Sequence, residues 1–144
     1  MVLRADVVRA RLLKLQEIDA VLERIRAHPR DGFDRDPLVS MAAERGLHIG
    51  AEAILDIGNH ILAGHFQQSP GENDEIVRAL AARGVIRPET GTRLAGLDGF
   101  RNVLVHGYTR IRPDLVWEAL QRSREDFPAF LDDVVRWLAE LESA

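Results

Sequence analysis

The chain has 144 residues, 46% hydrophobic and 29% charged, with a formal net charge of −4 and no cysteine. That length and balance suit one globular domain that buries its own core and exclude a disordered chain. Disulfides and thiolate metal sites are excluded, and no global positive field draws in nucleic acid.

Contact with nucleic acid would therefore have to come from a local patch. Nearly all the positive charge is arginine, with Lys14 the only lysine. Arginine suits bidentate phosphate recognition, although codon composition explains its abundance equally well. The N-terminal stretch MVLRADVVRARLLKL carries scattered charges and no uninterrupted apolar run, so it does not read as a signal peptide. No segment approaches the roughly 18 apolar residues of a membrane span. The expectation is a cytoplasmic protein away from membranes.

Val8, Leu12, Leu15, Ile18, Leu22 and Ile25 recur at three- and four-residue steps. They predict one helix from about Arg4 to Ala27. His28-Pro29 closes it, and Pro29-Arg30-Asp31-Gly32 reads as a turn. Asp36 as cap and Pro37 at the first helical position open a second helix, running to about His65. It carries two stripes: Leu38, Met41, His48, Ala51, Leu55 and Leu62, then Leu47, Ile54, Ile57 and Ile61. Two stripes call for burial on more than one side, as in a central bundle helix or a dimer interface. Gly50, Ala51, Ala53 and Gly58 admit a close neighbour. Glu52 and Asp56, spaced i,i+4, share a face; they read either as solvated acids or as partners for a buried arginine from elsewhere.

Ser69-Pro70-Gly71 breaks the chain. Glu72 to Arg83 predicts a short helix with Ile76, Val77 and Leu80 inward, closed by Gly84. Pro88-Glu89 opens another, which carries Leu94, Leu97, Phe100, Leu104 and Val105 through Gly91, Gly96 and Gly99. Gly107 reads as its terminator, followed by a basic loop with Arg110 and Arg112. Pro113-Asp114 opens a last helix to about Leu141, with a kink expected at Pro128. Its expected apolar side is Leu115, Leu120, Phe127, Phe130, Leu131, Val134, Val135 and Leu138. The fold class is all-α: a single domain over 1–144, an antiparallel bundle of about five helices.

The chemistry gathers in Phe100-Arg101-Asn102-Val103-Leu104-Val105-His106-Gly107-Tyr108. Asn102 and His106 are four apart and share a helix face, so Asn102 can set the tautomer of His106. Arg101 and His106 are five apart and lie roughly 140° apart on a regular helix. To act on one phosphate, either the helix unwinds near His106 or a second copy completes the site. A histidine near neutral pKa and an arginine suit metal-free RNA cleavage, with the ribose 2′-hydroxyl as nucleophile. No carboxylate cluster with metal-ligand spacing accompanies them, so neither metal nor cofactor is expected. Each residue taken singly is more often a cap, a solvated arginine or a core-edge tyrosine; their concentration between apolar residues brings a site level with those readings. His48 reads as core or interface packing, and His60 and His65 lack the i,i+4 spacing of a metal pair.

Arg101-Asn102-Val103-Leu104-Val105-His106-Gly107-Tyr108 resembles the R-x4-H-x-Y signature of HEPN-domain proteins, in the HepT-like toxin branch. The order of helices agrees over nearly the whole chain. The resemblance implies a bundle that dimerises through its motif-bearing face, bringing two motifs to one cleft, and a metal-independent endoribonuclease toxin. It implies Arg101 and His106 as catalytic, Asn102 as supporting, and Asp56 or Glu52 orienting Arg101. It further implies a minimal nucleotidyltransferase antitoxin as partner, which transfers AMP to Tyr108. Phosphate there would compete with RNA for Arg101, Arg110 and Arg112. Two other readings stay open: a non-catalytic dimer that holds a nucleotide or docks the nucleotidyltransferase, and a structural dimerisation domain with Arg101 and His106 in internal pairs.

Overall fold

The structure is a computed structural model that describes residues 3–106 and 113–144, apart from the side chain of His106. The expected helical terminator Gly107 and the basic loop with Arg110 and Arg112 lie outside the described residues, as does Tyr108.

Among the described residues the elements are α1 (Ala5–Arg26), α2 (Arg30–Arg35), α3 (Pro37–Phe66), α4 (Asp74–Ala82), α5 (Pro88–Arg93), α6 (Leu97–His106) and α7 (Pro113–Ser143). The all-α class holds, with two six-residue helices added to the five expected. The α1 stripe is buried along its length, from Val8 to Ile25. The carboxylate of Asp36 accepts from the backbone N–H of Leu38 at 3.0 Å, and Pro37 follows. That cap is worth about 1 kcal/mol.

α3 is the central helix. It packs against α1, α4, α6 and α7. Its glycines allow this: a Cβ on Gly50 would lie 2.5 Å from the Phe127 ring of α7, and one on Gly58 would lie 2.6 Å from Ile76 of α4. α1 runs antiparallel to α3. Arg4 N–H donates to His60 Nε2 at 3.4 Å near one end, and Leu22 approaches Gly46 towards the other.

Four expectations are corrected. The turn at Pro29–Gly32 is the start of α2, which buries Phe33 edge-on against Trp117 at 5.2 Å. The long helix expected from Pro88 into the motif is two helices, broken by turns over 94–96. Leu38 and Met41 are 79% and 63% exposed. α1 ends at Arg26, so the first turns of α3 extend beyond it. On α7, Leu115 and Val135 face solvent, and Val116, Ala119 and Trp137 are buried in their place. α7 remains helical through Pro128.

Polar clamps tie the bundle. Arg26, with 1% of its side chain exposed, joins α1 to α7 by Nε to Leu120 O at 2.9 Å and Nη2 to Ser123 Oγ at 2.8 Å. Its carboxylate partners are Glu23 and Asp19, at 2.7 and 3.1 Å. Asp133 of α7, wholly buried, accepts from Thr90 Oγ1 at 2.6 Å, Arg87 N at 3.0 Å and Arg87 Nε at 2.8 Å. Burial alone would raise its pKa, but these donors hold it below the ordinary value.

Candidate functional site

α6 carries Arg101, Asn102 and the backbone of His106. Leu97, Phe100 and Leu104 press α6 onto the core, while Asn102 and Val103 stay exposed. Anchored this way, α6 turns Arg101 towards α3. Its Nη1 donates to Glu52 Oε1 at 2.8 Å, and its Nη2 donates to Asp98 Oδ1 at 2.9 Å and Asn102 Oδ1 at 3.0 Å. Nε adds a longer bond to Asp98 at 3.3 Å.

Charge is shared accordingly. Hydrogen bonding from Arg101 holds the Glu52 carboxyl below its usual range, against the opposing effect of burial. Asp98 and then Glu52 raise the Arg101 pKa further, so the guanidinium is permanently charged. Asp98 was not read from the sequence, although its i,i+3 spacing to Arg101 is the signal for such a pair.

Arg101 is not sealed. With Glu52, Asp56, Asn59 and Asn73 it lines a polar cleft of about 300 Å³ between α3, α6 and the chain leading into α4. Of the two acids expected beside Arg101, Glu52 binds it. Asp56 shares the cleft without touching it. Asn102 spends its carbonyl on Arg101; its expected contact with His106 involves a side chain outside the description. α6 is helical through His106, so no unwinding separates the two motif residues on the backbone.

The acidic pair also borders a second cleft, of about 290 Å³, between α1 and α3. Arg11, Lys14, Arg45, His48, Glu52 and Asp56 line it. His48 is not packed into the core. Arg45 Nη1 donates to its Nδ1 at 3.1 Å, which leaves the proton on Nε2, 3.5 Å from the same Glu52 oxygen that receives Arg101. Nearby His60 is lowered by burial and then by Arg11 and Arg4. His65 lies edge-on to Phe66 and Trp137, and His28 Nδ1 meets Arg24 O at 3.2 Å, both structural positions. Among the described residues no group of three or more His, Cys, Asp or Glu could hold a metal ion. No helix there is long and apolar enough to cross a membrane.

A family model described as Ribonuclease HepT-like matches residues 14–134. The chain is 29% identical over 102 residues to a tRNA nuclease HepT of Aphanizomenon flos-aquae, covering 71% of this chain and 69% of that protein. It is 29% identical over 121 residues to an mRNA nuclease HepT of Shewanella oneidensis, covering 83% and 91%. Its fold superposes, with a TM-score of 0.81 and 23% identity, on the tri-AMPylated HEPN toxin of Shewanella oneidensis, solved in complex with its MNT antitoxin. That likeness spans 91% of this chain and 98% of the other.

Proposed function

The chain belongs to the HepT-like ribonuclease family, and from that premise we propose that it is the toxin of a toxin–antitoxin pair and a metal-independent endoribonuclease. The observation that carries the proposal is Arg101, charged, held by Glu52 and Asp98, and opening onto a polar cleft. A guanidinium fixed in that way stabilises phosphoryl charge without reorganising during the reaction.

In this reading His106 takes the proton from the ribose 2′-hydroxyl, or returns one to the leaving oxygen. Asn102 keeps Arg101 in register. Two copies of the chain supply the two histidines. Arg101 and His106 lie roughly 140° apart on a regular helix, so one straight α6 does not aim both at a single phosphate. Exposed Leu38, Met41 and Val103 on α3 and α6 support a homodimer that covers them. Arg110 and Arg112 add RNA contacts, and the protein works in the cytoplasm.

A nucleotidyltransferase antitoxin silences it by AMP transfer to Tyr108. The Shewanella complex, an AMPylated toxin with its antitoxin, supports that partner and that modification. The two nuclease relatives bear names for different RNA classes, tRNA and mRNA, and the proposal is for RNA as a class.

The test is cleavage of RNA by the purified, unmodified dimer in the presence of chelator, with Arg101→Ala and His106→Ala as controls. Intact RNA in the wild-type reaction sinks the proposal. Intact mass after co-expression with the antitoxin tests the modification: an AMP increment should appear and be missing in Tyr108→Phe. One observation favours a second reading. Carboxylates already take both ends of the Arg101 guanidinium, which suits a non-catalytic module that holds a nucleotide or docks the nucleotidyltransferase. That reading expects Arg101→Ala to weaken partner binding with no cleavage at any stage.

A further inference from the structure

The surroundings of Arg101 are poor in positive charge. Glu52 and Asp98 neutralise it, and Asp56 lines the same cleft. Within the described part of one chain, a polyanion gains little net attraction there. Across the Glu52 ridge the balance reverses. The cleft between α1 and α3 carries Arg11 and Lys14 on one wall and Arg45 on the other. All three are exposed, and neither Arg11 nor Lys14 has an ion-pair partner among the described residues. Of the two acids at its rim, Glu52 already receives Arg101, and Asp56 is solvent-facing.

The helices dictate this arrangement. Arg11 and Lys14 are i,i+3 on the outer face of α1, and Arg45 and His48 are i,i+3 on α3. Antiparallel packing of the two helices lays these faces side by side. His48 links the clefts, since it accepts from Arg45 and faces the Glu52 oxygen that holds Arg101. The chain as a whole is acidic, so three exposed cations gathered in one concavity form a local attraction for phosphate that the net charge does not supply.

We infer that this cleft is a second phosphate site, in which Arg11, Lys14 and Arg45 hold a backbone phosphate of the RNA strand flanking the one presented to Arg101. The inference rests on the ribonuclease reading and adds the path of the substrate. It makes cleavage of a long RNA depend on the cleft through KM, while a dinucleotide too short to reach it is cut independently of it.

The experiment measures binding of a fluorescein-labelled 20-nucleotide RNA, 2′-O-methylated so that it cannot be cut, across a salt series. The proteins are wild type, Arg11→Ala/Lys14→Ala and Lys14→Arg, each checked for helicity and melting temperature. The double variant should bind about 10-fold more weakly, and its log K against log salt slope should fall by about 0.7, the contribution of the one single-strand phosphate contact it loses. Lys14→Arg should bind like wild type. Unchanged affinity and slope in a folded double variant overturn the cleft, as does a wild type that binds no RNA. The ribonuclease reading stands or falls separately, on whether unmodified wild type cuts ordinary RNA.

Discussion

Arg26 and Arg101 are both helix arginines with two carboxylate partners, and they do different work. Arg26 has 1% of its side chain exposed and spans α1 and α7, with one of its bonds to a backbone carbonyl. Arg101 has 19% exposed, binds side chains only, and forms part of the wall of a polar cleft. Pairing alone therefore does not mark a working arginine. A guanidinium buried at the junction of two helices, tied to a backbone carbonyl, is a clamp. One whose partners hold it still at the edge of water can meet a ligand.

The comparison breaks if the two arginines respond alike to truncation. Arg101→Ala should lower RNA cleavage by about 10³-fold or more, the scale of losing a charged transition-state contact. It should change stability by only about 1 kcal/mol, because Glu52, 42% exposed, keeps its water. Arg26→Ala should do the reverse. It strips partners from the Leu120 carbonyl and from Ser123, and should cost about 3 kcal/mol in thermal or denaturant unfolding. Cleavage per folded molecule should not move. An Arg26→Ala protein of wild-type stability, or an Arg101→Ala protein of wild-type activity, removes the distinction.

A third variant sharpens the structural side. Gly50→Ala places a methyl group 2.5 Å from the Phe127 ring, which is 3% exposed and has little room to yield. Helix propensity alone would favour alanine by up to about 1 kcal/mol. Overpacking should outweigh it and leave a net loss of about 1–2 kcal/mol in unfolding measurements. A gain in stability would mean that α7 slides on α3 without penalty.

Much of this architecture was legible in the residues. The α1 stripe and the Asp36-Pro37 start of α3 are read correctly because helical period and capping are local properties. So are Gly50 and Gly58 as close contacts, since a glycine amid apolar positions has few other uses in a helix. The break between α5 and α6 was not legible. Leu94, Leu97, Phe100 and Leu104 keep helical phase straight across it, but tertiary contacts pull the halves apart: Asp133 of α7 holds Thr90 and Arg87 at the α5 end, while Glu52 of α3 holds Arg101 in α6. Spacing put Glu52 and Asp56 on one face and the family resemblance offered either as the partner of Arg101, and only the register of α6 on α3 chose between them. The Arg11–Lys14–Arg45 cleft depends on the register of α1 on α3, which no local pattern carries. Nor does periodicity say where a neighbouring helix stops, which is why Leu38 and Met41 look like core in the sequence and face solvent in the chain.

The smallest expected effect concerns the partner that the two clefts share. Glu52→Gln keeps the shape and one hydrogen-bond acceptor while removing the charge that faces Arg101, and Asp98 still holds the guanidinium from the other side. Cleavage should fall by about 10-fold, far less than for Arg101→Ala, and stability by under about 1 kcal/mol at this half-exposed site. The pH dependence follows from the direction of the shift. The Glu52 carboxyl lies lower in the folded protein than in the unfolded chain because of Arg101. Its contribution is therefore fully present above the unfolded value of about 4.3 and is lost only as pH falls through the lower folded value. Melting temperatures of wild type and Glu52→Gln should differ from about pH 5 to about pH 8 and converge only as pH falls below the ordinary glutamate value of about 4.3. Any change in cleavage between about pH 5 and about pH 8 then belongs to an imidazole rather than to the Arg101 clamp. A gap that closes already near neutral pH would show that Glu52 is not held down by Arg101, and would leave Asp98 as the only acid that positions the motif arginine.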